Sequence, residues 1–154
     1  KFEILKHLLK DKILGDNNIL NDKKILVVDD NRINQIVTKK ILENHGMICG
    51  IAENGDIAIE KLQKETFDLV LMDINMPGKD GIETTKEIRK FDTSTPIVAL
   101  TAIEVEEMRN KIEASGMNDI IVKPYDTDKF LKIILKNLSQ EEDSVYSSEK
   151  FSVS

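Results

Sequence analysis

The chain has very little sulfur chemistry available to it. Cys49 is the single cysteine among 154 residues, so an internal disulfide is excluded and a zinc cluster finds too few thiolates. Histidine is nearly as scarce: His7 and His45 are the only two, and neither falls where reactive groups gather. No apolar run approaches the roughly 20 residues that a membrane span needs, and no secretory leader pattern opens the chain. Excess positive charge is missing too. The formal net charge is -6, with no Lys/Arg-rich stripe, so electrostatic binding to nucleic acid is not expected. These absences fit a cytoplasmic location, with no nucleic-acid partner and no membrane contact by this segment. What remains is ordinary for a folded domain: 40% of residues are hydrophobic and 32% charged, in a length that can bury one core. The chain starts at Lys1 rather than at a methionine, and we expect a piece of a longer protein.

Four apolar runs end in polar groups. Ile25-Leu26-Val27-Val28 leads into Asp29-Asp30, and Leu69-Val70-Leu71-Met72 into Asp73. Ile97-Val98-Ala99-Leu100 leads into Thr101, and Ile120-Ile121-Val122 into Lys123-Pro124. Short continuous apolar runs of this kind read as strands buried on both faces. A further strand is expected over residues 47–52. Helical stripes alternate with the strands. Ile33, Ile36, Val37 and Ile41 make the first, closed by Gly46. Ile57, Ala58 and Leu62 make the second, which Asp56 can cap after the Asn54-Gly55 turn. Ile82, Thr85 and Ile88 make the third; Val105, Met108 and Ile112 make the fourth, ending near Gly116. Leu131, Ile134, Leu135 and Leu138 give the last helix its apolar side.

A β-α unit repeated five times gives an α/β fold, with parallel strands, right-handed crossovers and helices on both faces of the sheet. We expect this domain over residues 23–139. Residues 1–22 read separately, with Phe2, Leu5, Leu8, Leu9 and Ile13 at helical spacing. They suit a linker helix or a dimerising, signal-carrying one. Residues 140–154 are acidic, then serine-rich, and read as a flexible tail with little to bury.

In an open parallel sheet the carboxyl ends of the strands line one crevice, where ligands bind. Asp29, Asp30, Asp73, Thr101 and Lys123 would meet there. Two unit charges about 4 Å apart repel by roughly 4 kcal/mol at an effective dielectric near 20. Clustered carboxylates therefore raise one another's pKa or demand a cation. An all-oxygen site with few protein ligands and room for water suits Mg²⁺. Singly, Asp30 reads as a helix cap, Asp73 as the start of a turn, and Lys123 as a surface lysine. Their matching positions at successive strand ends favour a site. Asp73 is the candidate nucleophile, because a carboxylate can attack phosphorus to give an aspartyl phosphate. Lys123 would add positive charge and Thr101 a hydrogen bond to a phosphoryl oxygen. Thr101 also opens a capping box with Glu104, and the two roles are compatible.

At these residues the chain resembles the receiver domain of two-component response regulators, over roughly 23–139. The marks are Val28-Asp29-Asp30-Asn31, Leu71-Met72-Asp73-Ile74-Asn75-Met76-Pro77, Asp80-Gly81, Leu100-Thr101-Ala102 and Val122-Lys123-Pro124. The resemblance implies a flavodoxin-like, doubly wound sheet of five parallel strands in the order 2-1-3-4-5. It implies that Asp73 is the phosphoacceptor, receiving a phosphoryl group from a histidine on a histidine kinase or phosphotransfer protein. Asp30, Asp73 and the backbone carbonyl of Asn75 would be direct Mg²⁺ ligands, with Asp29 acting through water. Thr101 would be the switch hydroxyl and Lys123 the phosphate-pairing base, joined to Pro124 by a cis bond. The output face would be the fourth helix, fifth strand and fifth helix. The style of the motifs and the flanking segments look like receivers of hybrid sensor histidine kinases, whose parent chains can be membrane-anchored. No helix-turn-helix follows the last helix. A homodimer could form through the N-terminal helix or the output face.

Two rivals stand beside this reading. A Mg²⁺-dependent phosphatase working through an aspartyl phosphate carries a second aspartate two residues after its nucleophile. Asn75 occupies that position and cannot act as a carboxylic acid does. A flavin carrier of similar topology needs a hydroxyl- and glycine-rich phosphate loop after the first strand, and none is present.

Two positions depart from the pattern or tune it. Relatives often carry an aromatic three residues before the lysine; Ile120 stands there, so the readout on the output face must differ. Ile103, two residues after the switch threonine, cannot hydrogen-bond an attacking water, so self-dephosphorylation should be slow. Ile103→Asn and Ile103→Glu are expected to shorten the phosphoryl half-life in a direct decay assay; a longer half-life in either variant would refute this.

Overall fold

The computed structural model of the chain describes residues 19–102, 106–124 and 126–139. Five strands form where the apolar runs stand: β1 (Lys24–Val28), β2 (Ile48–Ala52), β3 (Leu69–Asp73), β4 (Ile97–Thr101) and β5 (Asp119–Val122). Every residue of β3 and β4 is buried, which is why these strands are continuously apolar rather than alternating. All four pairings are parallel. The order is β2-β1-β3-β4-β5, so the winding reverses between β1 and β3. That is the doubly wound sheet expected from the resemblance.

The connecting helices are α1 (Arg32–Asn44), α2 (Gly55–Lys64), α3 (Gly81–Ile88), α4 (Glu106–Ser115) and α5 (Thr127–Leu138). The sheet divides the core in two, because successive strand side chains point to opposite faces. Leu26, Val28, Val70, Met72, Ile97 and Ala99 pack with Ala58 of α2, Ile88 of α3 and Ile112 of α4. Ile25, Val27, Leu69, Leu71, Val98 and Leu100 pack with Leu42 of α1 and with Phe130, Leu131 and Ile134 of α5. Leu20 joins this second half, so the contacts of the fold reach upstream of Lys23.

Side-chain caps start four helices and satisfy otherwise orphaned backbone N–H groups. Asn31 accepts from the Asn34 N–H at 3.0 Å, Asn54 from Ile57 at 2.9 Å, Asp80 from Glu83 at 2.8 Å and Asp126 from Lys129 at 2.7 Å. The cap of α2 is thus Asn54 rather than Asp56, which lies inside the first turn. Gly46, at φ +83°, follows the end of α1 in a conformation that favours glycine. Gly81 has a different role. A Cβ there would collide with the carbonyl oxygen of Asp73, so glycine lets α3 start hard against the end of β3.

The α1 stripe is a correction. Thr38 and Leu42 are the buried residues of this helix, while Ile33, Ile36 and Val37 are 72%, 57% and 50% exposed. The stripe exists, but most of it faces outward, because the sheet-facing side uses a threonine that hydropathy does not mark. Val105, Ile103 and Glu104, the helical segment expected over residues 1–22 up to position 18, and the tail 140–154 lie outside the described residues.

Candidate functional site

The strand register builds the cleft. Val28 of β1 pairs with Met72 of β3, so the residues that follow, Asp29 and Asp73, stand side by side at the point where the winding reverses. Asp73 pairs with Leu100, whose successor is Thr101. Thr101 pairs with Val122, whose successor is Lys123. Four adjacent strands therefore deliver their polar termini to one edge. Carboxylate oxygens of Asp29, Asp30 and Asp73 all lie within 4.8 Å of one another.

Each group sits in its own environment. Asp29 is wholly buried, Asp73 is 6% exposed and Thr101 is 2% exposed, while Asp30 faces solvent. The Asn31 N–H donates to Asp29 Oδ1 at 2.9 Å. The Gln35 side-chain amide donates to the Asp29 carbonyl at 2.6 Å, and the Asp29 N–H donates to the Ala52 carbonyl at 3.1 Å. Asp29 Oδ2 is buried without a hydrogen bond. A buried anionic oxygen left unpaired is costly, and a bound cation is what would satisfy it.

The Asn75 N–H donates to Asp73 Oδ1 at 3.1 Å. The Lys123 N–H donates to the Thr101 carbonyl at 2.8 Å, and the Lys123–Pro124 bond is cis. Asp29, Asn34, Val37, Thr38, Leu100 and Lys123 line a cavity of about 110 Å³. Burial pushes the Asp73 carboxyl up from 3.8 to about 6, and the charges of Asp29 and Asp30 add to that. The Lys123 ammonium and the Asn75 N–H act in the opposite direction. Such a carboxylate cluster, with one unsatisfied buried oxygen and an exposed member, fits a hard divalent cation that keeps some of its waters.

All the residues singled out from sequence reach this edge: Asp29, Asp30, Asp73, Asn75, Thr101 and Lys123. Sequence reasoning misses Gln35 and the Asn31 backbone as supports of Asp29. Asn31 is visible only as part of a motif. Gln35 carries no local signal, since its contact exists only once α1 packs beside β1.

A sequence model of the response regulator receiver domain matches residues 25–135. The chain belongs to this family. Among curated relatives, the sensor protein GacS of Pseudomonas syringae pv. syringae is 38% identical over 118 residues, 73% of this chain but 13% of GacS. The chemotaxis protein CheY of Bacillus subtilis is 38% identical over 117 residues, 75% of this chain and 98% of CheY. The receiver thus spans a small part of one relative and nearly all of the other. A solved receiver domain from a sensor histidine kinase of Pseudomonas aeruginosa PAO1 has a magnesium ion coordinated in its active site cleft. It superposes with a TM-score of 0.72 at 31% identity, covering 77% of this chain and 98% of that one. The receiver is accordingly a module of two-component phosphorelay systems, whose members interact with histidine kinases or phosphotransfer proteins. No helix among the described residues is long and apolar enough to cross a membrane.

The raised Asp73 pKa sets a pH dependence with a definite sign. The unfolded chain, with an ordinary carboxyl near 3.8, loses this proton before the fold does at about 6. The fold therefore binds more protons between those values, and stability falls as pH rises through them. The penalty is fully present above about pH 6 and absent below about pH 4. In metal-free buffer at pH 8, Asp73→Asn should be more stable than wild type by about 1–2 kcal/mol; solvent screening in the cleft holds it below the ~3 kcal/mol of two pK units. Thermal melts should show a gain of a few degrees at pH 8 that vanishes near pH 4. Equal melting at pH 8 would contradict this account of the cleft.

Proposed function

We propose that this receiver accepts a phosphoryl group on Asp73 from a phosphohistidine and acts as a conformational switch, within a hybrid sensor histidine kinase. The observation that carries the reading is the buried Asp73, set at the winding reversal with two more carboxylates within 4.8 Å and an unsatisfied Asp29 oxygen beside it. The likeness to a small part of GacS supports the parentage.

In this reading Asp30, Asp73 and the Asn75 carbonyl would hold Mg²⁺, with Asp29 acting through water. Such an ion would supply positive charge to the phosphoryl oxygens. The protein does the rest. The Asn75 N–H fixes Asp73 Oδ1, which leaves Oδ2 to form the new O–P bond. The P–N bond to the donor imidazole breaks, and the imidazole nitrogen keeps that electron pair and takes a proton from water. Lys123 brings a second positive charge to the phosphoryl oxygens, and Thr101 donates a hydrogen bond to one of them.

The donor's approach is supported by α1. Val37 lines the same cavity as Asp29 and Lys123, and with Ile33 and Ile36 it forms an exposed apolar patch bordering the cleft. Such patches mark interaction sites, and a donor presenting its histidine to Asp73 would cover this one.

Intact mass after incubation with acetyl phosphate and Mg²⁺ tests the acceptor. Wild type should gain one phosphoryl group; Asp73→Asn and EDTA-treated wild type should gain none. A folded wild type that gains nothing would overturn the reading. Ile36→Asp should slow transfer from a phosphorylated histidine phosphotransfer domain by about tenfold, the loss of one good apolar contact, while labelling by acetyl phosphate stays unchanged. Undiminished protein-to-protein transfer would remove α1 as the docking face.

A further inference from the structure

The loop between β3 and α3 carries Asn75, and its anchoring has a feature that the acidic cleft does not account for. At its start, Ile74 and Met76 are 3% and 6% exposed, and the Asn75 N–H reaches Asp73 Oδ1. At its end, the Gly81 N–H donates to the Ile74 carbonyl at 3.2 Å, and Asp80 caps α3. Between these ends the chain turns outward at Gly78, at φ +77°, where a Cβ would meet nothing within 4 Å. Pro77 and Gly78 are both exposed, so packing does not hold the tip of that turn.

Lys79 supplies the missing tether. Its ammonium donates to Asp56 Oδ1 at 2.8 Å and to Glu87 Oε2 at 2.5 Å. One bond ties the loop sideways to the first turn of α2, and the other ties it forward to α3. The Lys79 side chain is 27% exposed although both partners are more open, Asp56 at 79% and Glu87 at 42%.

Gly55 makes this reach feasible. A Cβ at Gly55 would collide with Thr84 Oγ1 and come within 3.2 Å of Lys79 Cδ. The bare backbone at the start of α2 therefore lets α3 approach and gives the lysine stem a bed to lie on. The contact takes up Asp56, which has the chemistry to cap α2, as an ion-pair partner, and Asn54 caps instead.

We propose that Lys79 is a positioning residue for the cation site: its two ion pairs pin the β3–α3 loop and hold the Asn75 backbone in the arrangement that Mg²⁺ binding requires. This rests on the reading of the site given under the proposed function. Exposed ion pairs contribute little to global stability, so the effect belongs to the loop and to the cation affinity rather than to the melting temperature.

The test compares wild type, Lys79→Met, Lys79→Arg and the double variant Asp56→Asn/Glu87→Gln. Amide hydrogen exchange in metal-free protein reads the tether alone. Calorimetric titration with Mg²⁺ reads its consequence. In Lys79→Met and in the double variant, the Asn75 and Gly81 amides should exchange several-fold faster while β1 and β3 amides stay unchanged. The Mg²⁺ dissociation constant should rise by about three- to tenfold, less than the roughly 10–100-fold of partners that bond a metal ligand directly, because the lysine acts through the loop. Lys79→Arg should restore both. Unchanged exchange at Asn75 and Gly81 overturns the proposal whatever Mg²⁺ does. Faster exchange with unchanged Mg²⁺ affinity reduces the lysine to a structural tether and also overturns it. A wild type that binds no Mg²⁺ overturns the reading of the site, and the positioning role with it, while exchange still reports whether the tether exists.

Discussion

Three carboxylates whose oxygens lie within 4.8 Å of one another repel, and the fold has to hold them together against that repulsion. It does so with backbone. Parallel pairing of β1 with β3 fixes Asp29 beside Asp73, and ladder bonds between these central, largely buried strands leave little freedom to splay them apart. The Asn31 and Asn75 N–H groups each meet a carboxylate oxygen two residues back, spreading the negative charge onto fixed dipoles. Burial of Asp29 and Asp73 raises the cost and shortens the list of remedies. The rest of the site answers this single demand: a lysine at the end of β5, a partly exposed third carboxylate open to a cation, and glycine at position 81 so that α3 can close against β3.

Much of this is legible in the order of the amino acids. Fully buried parallel strands have to be apolar along their whole length, so Leu69–Met72 and Ile97–Leu100 can be read directly, and the polar residue that ends each run marks the carboxyl edge. Helices are less legible, because their faces are decided by what packs on them. Hydropathy marks Ile33, Ile36 and Val37 as one face of α1, yet the sheet takes Thr38 and Leu42. Asp56 has the chemistry of a cap, but Asn54 stands nearer the turn and Lys79 claims the carboxylate. Gln35 and Lys79 act only through contacts between elements, and no local pattern announces such contacts.

Ile120 bears on how a change at the cleft is felt elsewhere. It is half-buried against the part of the core shared by α2, α3 and α4, with Met108 of α4 in the same group. Its backbone pairs with Ala99, two residues before Thr101. A branched aliphatic side chain there has few rotamers and no polar end, so it can answer a shift of Thr101 only by repacking. In the proposed switch, the coupling on this face would be steric, through the packing of Ile120 against the cluster that holds Ala99.

The division of the core by the sheet has an evolutionary consequence. Residues on opposite sides of the strands share few neighbours, and substitutions without shared partners tend to act additively. The exposed face of α1 can be rewritten without disturbing the packing of Ile88, Ile112 and Met117 on the other side. Conversely, the α4 side can drift while Leu42, Phe130 and Ile134 keep their places. The two halves of the core are separately heritable, and the few polar residues at the strand ends are the part that both must keep.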